Sequence, residues 1–169
     1  MEEIATLLEP HIPALRRYAW ALLRDDDMAD DLVQDTLERA ISRWHSRRRD
    51  GDLKAWLFTI ERNLFLNLLR QRTSRGPHVG EEALENVALD AGHPDAALGA
   101  RDVLAGLDTL PEEQRSVLLL VGVEDLSYDE VAKVLDVPVG TVMSRLSRGR
   151  EKLRQYMETG RAMVLRRVK

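Results

Sequence analysis

The side chains of this 169-residue chain that could do chemistry are carboxylates, guanidiniums and a few aromatics, gathered in separate clusters. Asp26, Asp27 and Asp30 make a D-D-x-x-D motif, a grouping that suits a hard cation such as magnesium and, through it, a diphosphate. Catalysis on a diphosphate needs a second carboxylate set across a cavity. No second Asp-rich motif occurs, and the chain is short for such a cavity, so an enzyme of that class is set aside. Just beyond, Asp31, Gln34, Asp35 and Glu38 recur at i, i+3, i+4 and i+7, which is one face of a helix. That face is either simply solvated or a docking surface. Cysteine is absent, so disulfides and thiolate metal sites are excluded, and His11, His45, His78 and His93 are too scattered for a zinc site. No catalytic residue, metal ligand or cofactor is expected.

The other clusters suit nucleic acid. The stretch LKAWLFTIERNLFLNLLRQR carries Trp56 and Phe58 near its start, Asn63 and Asn67 one turn apart, and Arg62, Arg70 and Arg72. It follows a basic loop, Trp44 to Asp52, with Arg47, Arg48 and Arg49 and an Asp-Gly turn signal. Aromatics beside amides and arginines can stack on single-stranded bases, bond their edges and hold the backbone; equally, Trp56 and Phe58 could be core. Further on, the stretch Leu126 to Leu153 places Thr141, Ser144, Arg145, Ser147, Arg148, Arg150, Lys152 and Arg154 around an apolar stripe of Val142, Leu146, Gly149 and Leu153. Hydroxyls and guanidiniums behind such a stripe suit a helix lying in a DNA major groove.

These residues need helices to hold them. Ser127 and Glu130 form a capping box that starts a short helix at Tyr128, with Val131, Ala132 and Leu135 inward. Asp136-Val137-Pro138 ends it, because the residue before a proline is pushed out of the α region. A tight turn and the basic helix follow, making a helix-turn-helix. Glycine often fills the turn position at Asp136, and aspartate is one of the few residues to share its tolerance for positive φ. Upstream, the periodicity predicts a helix over 12–23, with Ile12, Leu15, Ala19, Leu22 and Leu23 on one side. A second runs over about 28–44, burying Ala29, Leu32, Val33, Leu37, Ala40 and Ile41, and a third over about 53–72, with Leu57, Ile60, Leu64 and Leu68 inward. Gly76, Pro77, Gly80, Gly92, Pro94 and Gly99 among acidic residues read as a linker, flexible or weakly helical. After it come a helix near Asp102 and another opening at Leu110-Pro111-Glu112-Glu113. The expected fold is all-α: two small helical domains, 1–75 and 101–169, joined by a flexible linker over 76–100.

The formal net charge of −4 is unevenly spread. Residues 1–38 hold ten acids and three bases, and 39–75 hold ten bases and three acids. Residues 76–100 hold five acids and no base, 101–139 nine acids and three bases, and 140–169 two acids and nine bases. Two basic segments alternating with acidic ones suggest two nucleic-acid contacts and at least one other partner, because electrostatic attraction is screened over about 10 Å. No apolar run reaches membrane-spanning length, and the Met1-Glu2-Glu3 start lacks a signal peptide's basic residues. A soluble, cytoplasmic protein with no membrane insertion is expected.

The segment LPEEQRSVLLLVGVEDLSYDEVAKVLDVPVGTVMSRLSRGREKL resembles the fourth region of bacterial RNA polymerase sigma factors. DDDMADDLVQDTLERA and KAWLFTIERNLFLNLLRQR resemble their second region. With both regions and a short linker, the chain resembles an extracytoplasmic-function (ECF, group IV) sigma factor of the sigma-70 family, over nearly all of residues 10–157. The resemblance implies a protein that is not an enzyme but directs core RNA polymerase to promoters, under control of an anti-sigma factor. It implies that Asp31, Gln34, Asp35 and Glu38 dock on the β′ clamp helices and that the fourth region meets the β flap. It implies that Arg47, Arg48, Arg49, Trp56, Asn63, Asn67 and Arg70 melt the −10 element and capture a flipped base. In the −35 element it implies bases facing Met143, Ser144, Ser147 and Arg148, and phosphates facing Thr141, Arg145 and Arg150. Met143 stands where many members carry a basic residue. From the residues alone, a stand-alone helix-turn-helix regulator remains the other reading.

Overall fold

The structure, a computed structural model, describes the backbone of residues 1–74 and 94–167 and the side chains of 1–74 and 99–160. The described residues form helices α1 (Glu2–Leu8), α2 (Ile12–Leu23), α3 (Asp26–Ser42), α4 (Leu53–Ser74), α5 (Pro94–Asp108), α6 (Glu112–Gly122), α7 (Tyr128–Leu135) and α8 (Val139–Arg167), with no strand among them. The expected all-α fold is observed. None of the described helices is long and apolar enough to cross a membrane.

In the first half α2, α3 and α4 pack around Leu15, Ala19, Leu32, Leu57 and Phe58, all nearly inaccessible. Each large side chain there contributes roughly 2 kcal/mol by leaving water. Asp25 caps α3 by accepting from the Met28 N–H at 2.9 Å, and Asp52 caps α4 by accepting from the Ala55 N–H at 2.9 Å. Both caps satisfy donors that a helix start leaves open. The Asp25-Asp26-Asp27 run starts α3, as carboxylates suit the positive end of the helix dipole. The helix stops at Ser42, short of Trp44; Trp44–Ser46 instead forms a 3₁₀ turn that starts the basic loop. Helix α1 was not legible, because it is too short to show a periodic stripe.

In the second half α6, α7 and α8 surround Val117, Leu120, Val131, Val142 and Leu146, with Leu107 and Leu110 closing one end. Pro111 sits just before α6 rather than in its first turn. The turn after α7 is as expected: Asp136 is left-handed (φ 54°, ψ 51°), the Val137 N–H donates to the Ala132 carbonyl and the Asp136 N–H to the Lys133 carbonyl. These two bonds are the paired closure that ends many helices with glycine. At the other end of α7, Ser127 accepts from the Glu130 N–H at 3.1 Å. The reciprocal half of the box differs, since the Glu130 carboxylate accepts from the Ser127 hydroxyl at 3.1 Å rather than from a backbone N–H. Gly149 faces Leu118, and a Cβ there would stand 3.1 Å from its Cδ1, so α8 approaches α6 closely.

The linker and the tail take the helical one of their two readings. The linker reads as flexible or weakly helical, and α5 starts at Pro94, where proline's fixed φ suits a helix start; the rest of the expected linker, 76–93, lies outside the described residues. The basic tail from Tyr156, readable as a helix extension or as disordered, continues α8 as far as Arg167.

The two halves pack against each other through α4 with α7 and α2 with α6. Tyr18 stacks edge-on against Phe58 at 5.3 Å in the first core, while its hydroxyl donates to Ser116 of the second half at 3.0 Å. Burial pushes the Tyr18 hydroxyl pKa up to about 12, so it stays a neutral donor. Arg62 was expected to lend α4 an outward positive charge. It is instead buried, ion-paired with Glu112 and donating to Ser116 at 2.8 Å.

Candidate nucleic-acid and polymerase interfaces

Three surfaces gather the residues singled out in the sequence. On α8, Val142 and Leu146 point inward, and Met143, Ser144, Ser147, Arg148 and Arg150 are exposed on the opposite side. Two of the set behave differently. Thr141 is half-buried, its carbonyl accepting from the Ser144 hydroxyl at 3.1 Å, and Arg145 leans back to Glu113 of α6 at 3.7 Å. Met143 is 52% exposed, an apolar tip among hydroxyls and guanidiniums. Farther along, Arg154 is occupied by Glu151 and Glu158 at 2.5 and 2.6 Å.

On α4, Trp56, Asn63, Asn67 and Arg70 are separated by seven, four and three residues, which makes one stripe. Asn63, Asn67 and Arg70 are exposed and Trp56 is half-buried. Phe58 lies on the other side and is core at 0% exposure, and Trp56, half-buried, also packs against the core. Trp56 meets Trp44 edge-on at 6.2 Å. The Arg47 guanidinium sits 4.9 Å from the Trp44 ring and 5.8 Å from the Trp56 ring, a cation held over aromatic faces. The same guanidinium donates to the Arg48 and Gly51 carbonyls, each at 3.4 Å, so Arg47 braces its loop from within. Arg48 and Arg49 point to solvent.

On α3, Asp31, Gln34, Asp35 and Glu38 are all exposed, and Gln34 donates to Glu38 at 3.2 Å. Asp30, one of the D-D-x-x-D carboxylates, is paired with Arg16 at 2.8 Å, while the preceding Asp25 serves as the helix cap.

A fourth polar cluster was not legible. Arg17 makes a forked pair with Glu124, both contacts at 3.1 Å, and the Lys54 ammonium donates to the Glu124 carbonyl at 2.6 Å. Glu124 is 3% exposed. Beside it Glu61 is fully buried, neither carboxylate oxygen having a partner. Burial first, and the Glu124 charge second, raise the Glu61 pKa well above the usual carboxylate range. Burial alone would also raise Glu112, but bonds from Arg62 and Ser116 and the Arg62 charge hold it below that range. The signal that could have found this cluster is Lys54 and Glu61 interleaved with Phe58 and Phe65 at spacings of four, three and four, charge on a buried stripe.

Comparison with known proteins agrees with this division. The Sigma2 domain of PhyR matches residues 8–61, and sigma-70 region 4 matches residues 100–153. The chain is 39% identical to the ECF RNA polymerase sigma factor EcfG of Rhodopseudomonas palustris, across 84% of this chain and 78% of that one. It is 36% identical to the ECF RNA polymerase sigma factor SigE of Mycolicibacterium smegmatis, over 89% of this chain but only 60% of that longer protein. Among solved structures it resembles the sigma factor RpoE in complex with the anti-sigma factor NepR from Bartonella quintana. That match has a TM-score of 0.79 and 32% identity and covers 94% of this chain and 98% of the other. CnrH, solved with the cytosolic domain of CnrY, follows at a TM-score of 0.68 and 26% identity, covering 92% of this chain and 88% of that one. With its two helical halves, its helix-turn-helix and these relatives, the chain belongs to the ECF RNA polymerase sigma factors.

Proposed function

We propose that this sigma factor binds core RNA polymerase through α3 and reads a promoter with two surfaces, the α4 stripe with its basic loop and the outer face of α8. What carries the reading is that the three faces are separately exposed on rigid helices and carry complementary chemistry. Asp31, Gln34, Asp35 and Glu38 offer an acidic face for the β′ clamp helices, and the second half meets the β flap. At the −10 element, Arg48, Arg49 and Arg70 hold phosphates. Arg47 keeps Trp44 and Trp56 in position, and Trp56, Asn63 and Asn67 stack on and bond an unpaired base. At the −35 element Ser144, Ser147 and Arg148 face base edges, while Thr141, Arg145 and Arg150 take phosphates, Arg145 exchanging Glu113 for one. Phosphate contacts fix register and the few base contacts carry sequence. Met143 supplies an apolar contact for a thymine methyl. The polymerase performs nucleotidyl transfer; this chain supplies address and strand opening. An anti-sigma factor of the NepR kind is the proposed regulator, supported by the match to RpoE from the RpoE–NepR complex. The chain's place of action is the cytoplasm, where the polymerase is.

Reconstitution tests this. Purified chain with bacterial core polymerase on sheared genomic DNA should yield promoter-specific transcripts that need both components, and that weaken about tenfold or more with D35A or R148A. No complex and no transcripts with an active cognate core would return the chain to the stand-alone regulator reading.

A further inference from the structure

We infer, on the promoter reading above, that Arg47 is a positioning residue for strand opening. It touches no DNA itself; it acts through Trp44, Trp56 and the backbone of the basic loop, and holds that loop ready for an unpaired base.

The run Arg47-Arg48-Arg49 looks like three equivalent phosphate contacts, but the fold divides it. Arg48 and Arg49 are exposed, whereas Arg47 is half-buried, and its Nε is closed off from water without a hydrogen-bond partner. Its charge is turned inward, the guanidinium carbon lying 4.9 and 5.8 Å from the Trp44 and Trp56 ring centres. A guanidinium is weakly hydrated and stacks on aromatic planes, so such a seat costs it little solvation. Its Nη1 donates to the Arg48 and Gly51 carbonyls, each at 3.4 Å. The Gly51 N–H donates to the same Arg48 carbonyl at 3.4 Å, which closes the turn.

One side chain thereby ties three pieces of backbone. Trp44 opens the 3₁₀ turn after α3, where the Arg47 N–H donates to the Trp44 carbonyl at 3.3 Å. Arg48 to Gly51 form the tip of the loop. Trp56 stands in the first turn of α4, its N–H donating to the Asp52 carbonyl at 3.1 Å. The bonds to the tip are long and individually weak. Among the described residues Arg47 is the one side chain bonded to the Arg48 and Gly51 carbonyls, so the tip depends on it.

The consequence falls on one step of initiation. A loop fixed before DNA arrives carries no ordering cost when it takes a base, whereas a loose loop carries that cost at the moment of capture. Capture holds the base out of the duplex and so favours the opened strand. Initial association works instead by neutralising phosphates, and its signature is salt dependence. Arg48 and Arg49 serve association and Arg47 serves opening. Lysine cannot stand in for Arg47, because a compact, strongly hydrated ammonium lacks the plane that lies against the two rings.

The test uses holoenzyme, the full chain with an active cognate core, on a promoter carrying 2-aminopurine in the non-template strand of the −10 element. Opening is read as the rise in its fluorescence. R47A and R47K should both open about tenfold more slowly than the parent, with the thermal midpoint of the free chain checking the fold. In unopened complexes held cold, R48A should lower the slope of log affinity against log salt by about one, as the loss of one phosphate contact does. R47A should keep the parent's slope. If R47A does not fold, R47K decides, since a phosphate contact survives the exchange and a stacked plane does not. Opening at the parent rate by folded R47A or R47K, or a slope lowered by R47A as by R48A, would overturn the inference and leave the promoter reading standing. A parent holoenzyme that opens no promoter would overturn the promoter reading, and the inference with it.

Discussion

Two sets of carboxylates divide this molecule. On α3, Asp31, Asp35 and Glu38 stand in water; in the second half, Glu112 and Glu124 are turned onto cations of the first half and largely hidden. By residue type and local charge density the two sets look alike. Their difference lies in what the fold places opposite them. The outward set is available to a separate basic partner, whereas the inward set is spent within the chain. An acidic cluster is thus a docking surface or a structural joint according to tertiary neighbours, not sequence.

The comparison can be broken from the inward side first. Arg62→Ala leaves Glu112 and Ser116 without their shared donor, beside the Tyr18 hydroxyl that donates to the same Ser116, and should cost up to about 3 kcal/mol, read as a fall of several degrees in the thermal midpoint. A midpoint within a degree of the parent would show that water replaces the guanidinium freely. The next effect is in pH. Glu61 has a raised pKa in the folded chain, and its charged neighbour is Glu124, itself held by Arg17 and Lys54. Below the ordinary carboxyl range Glu61 is protonated in folded and unfolded chains alike and costs nothing. As pH rises toward the raised value the unfolded chain ionises it first, so the fold weakens, by at most about tenfold in the folding equilibrium per pH unit. Glu61→Gln should flatten that dependence when the thermal midpoint is followed against pH; an unaltered pH profile would place the titration elsewhere.

The outward surfaces should respond to ligand and not to stability. Replacing thymines of the −35 element one at a time by uracil removes single methyl groups, and at one position holoenzyme affinity should drop by about 1 kcal/mol, roughly fivefold. With Met143→Ala that position should become indifferent to the change. Tolerance of uracil at every position by the parent would remove Met143 from base reading. Smallest of all, Asp31→Ala with Asp35→Ala should leave the unfolding midpoint within about 0.5 kcal/mol of the parent, as exposed side chains without partners do. A clear loss would mean that this face is structural after all.

Local chemistry made much of this readable. The helix over Ile12–Leu23, the cap at Ser127 and the left-handed Asp136 before Pro138 follow from periodicity and backbone sterics that act within a few residues. The apolar stripe that turns the other side of α8 outward and the one-turn spacing of Asn63 and Asn67 followed from periodicity, while the grouping of the α4 residues came from the resemblance to sigma factors. What escaped depends on residues far apart in the chain. Arg47 looks like its neighbours Arg48 and Arg49 until Trp56 folds back over it, and Arg62 looks like a surface charge until Glu112 arrives from fifty residues away. The start of α5 at Pro94 falls in a stretch that reads as flexible or weakly helical, because Pro94 and Gly99 suit a linker and a proline also suits a helix start.

The most direct test of the division is the affinity of core polymerase for three chains measured side by side: the parent, D31A/D35A and E112Q/E124Q. The outward pair should weaken binding about tenfold or more by removing docking contacts. The inward pair should bind as well as the parent, because its carboxylates face cations of the chain itself and not a partner. Equal affinity of D31A/D35A and the parent, or a loss with E112Q/E124Q as large as that with D31A/D35A, would contradict the account.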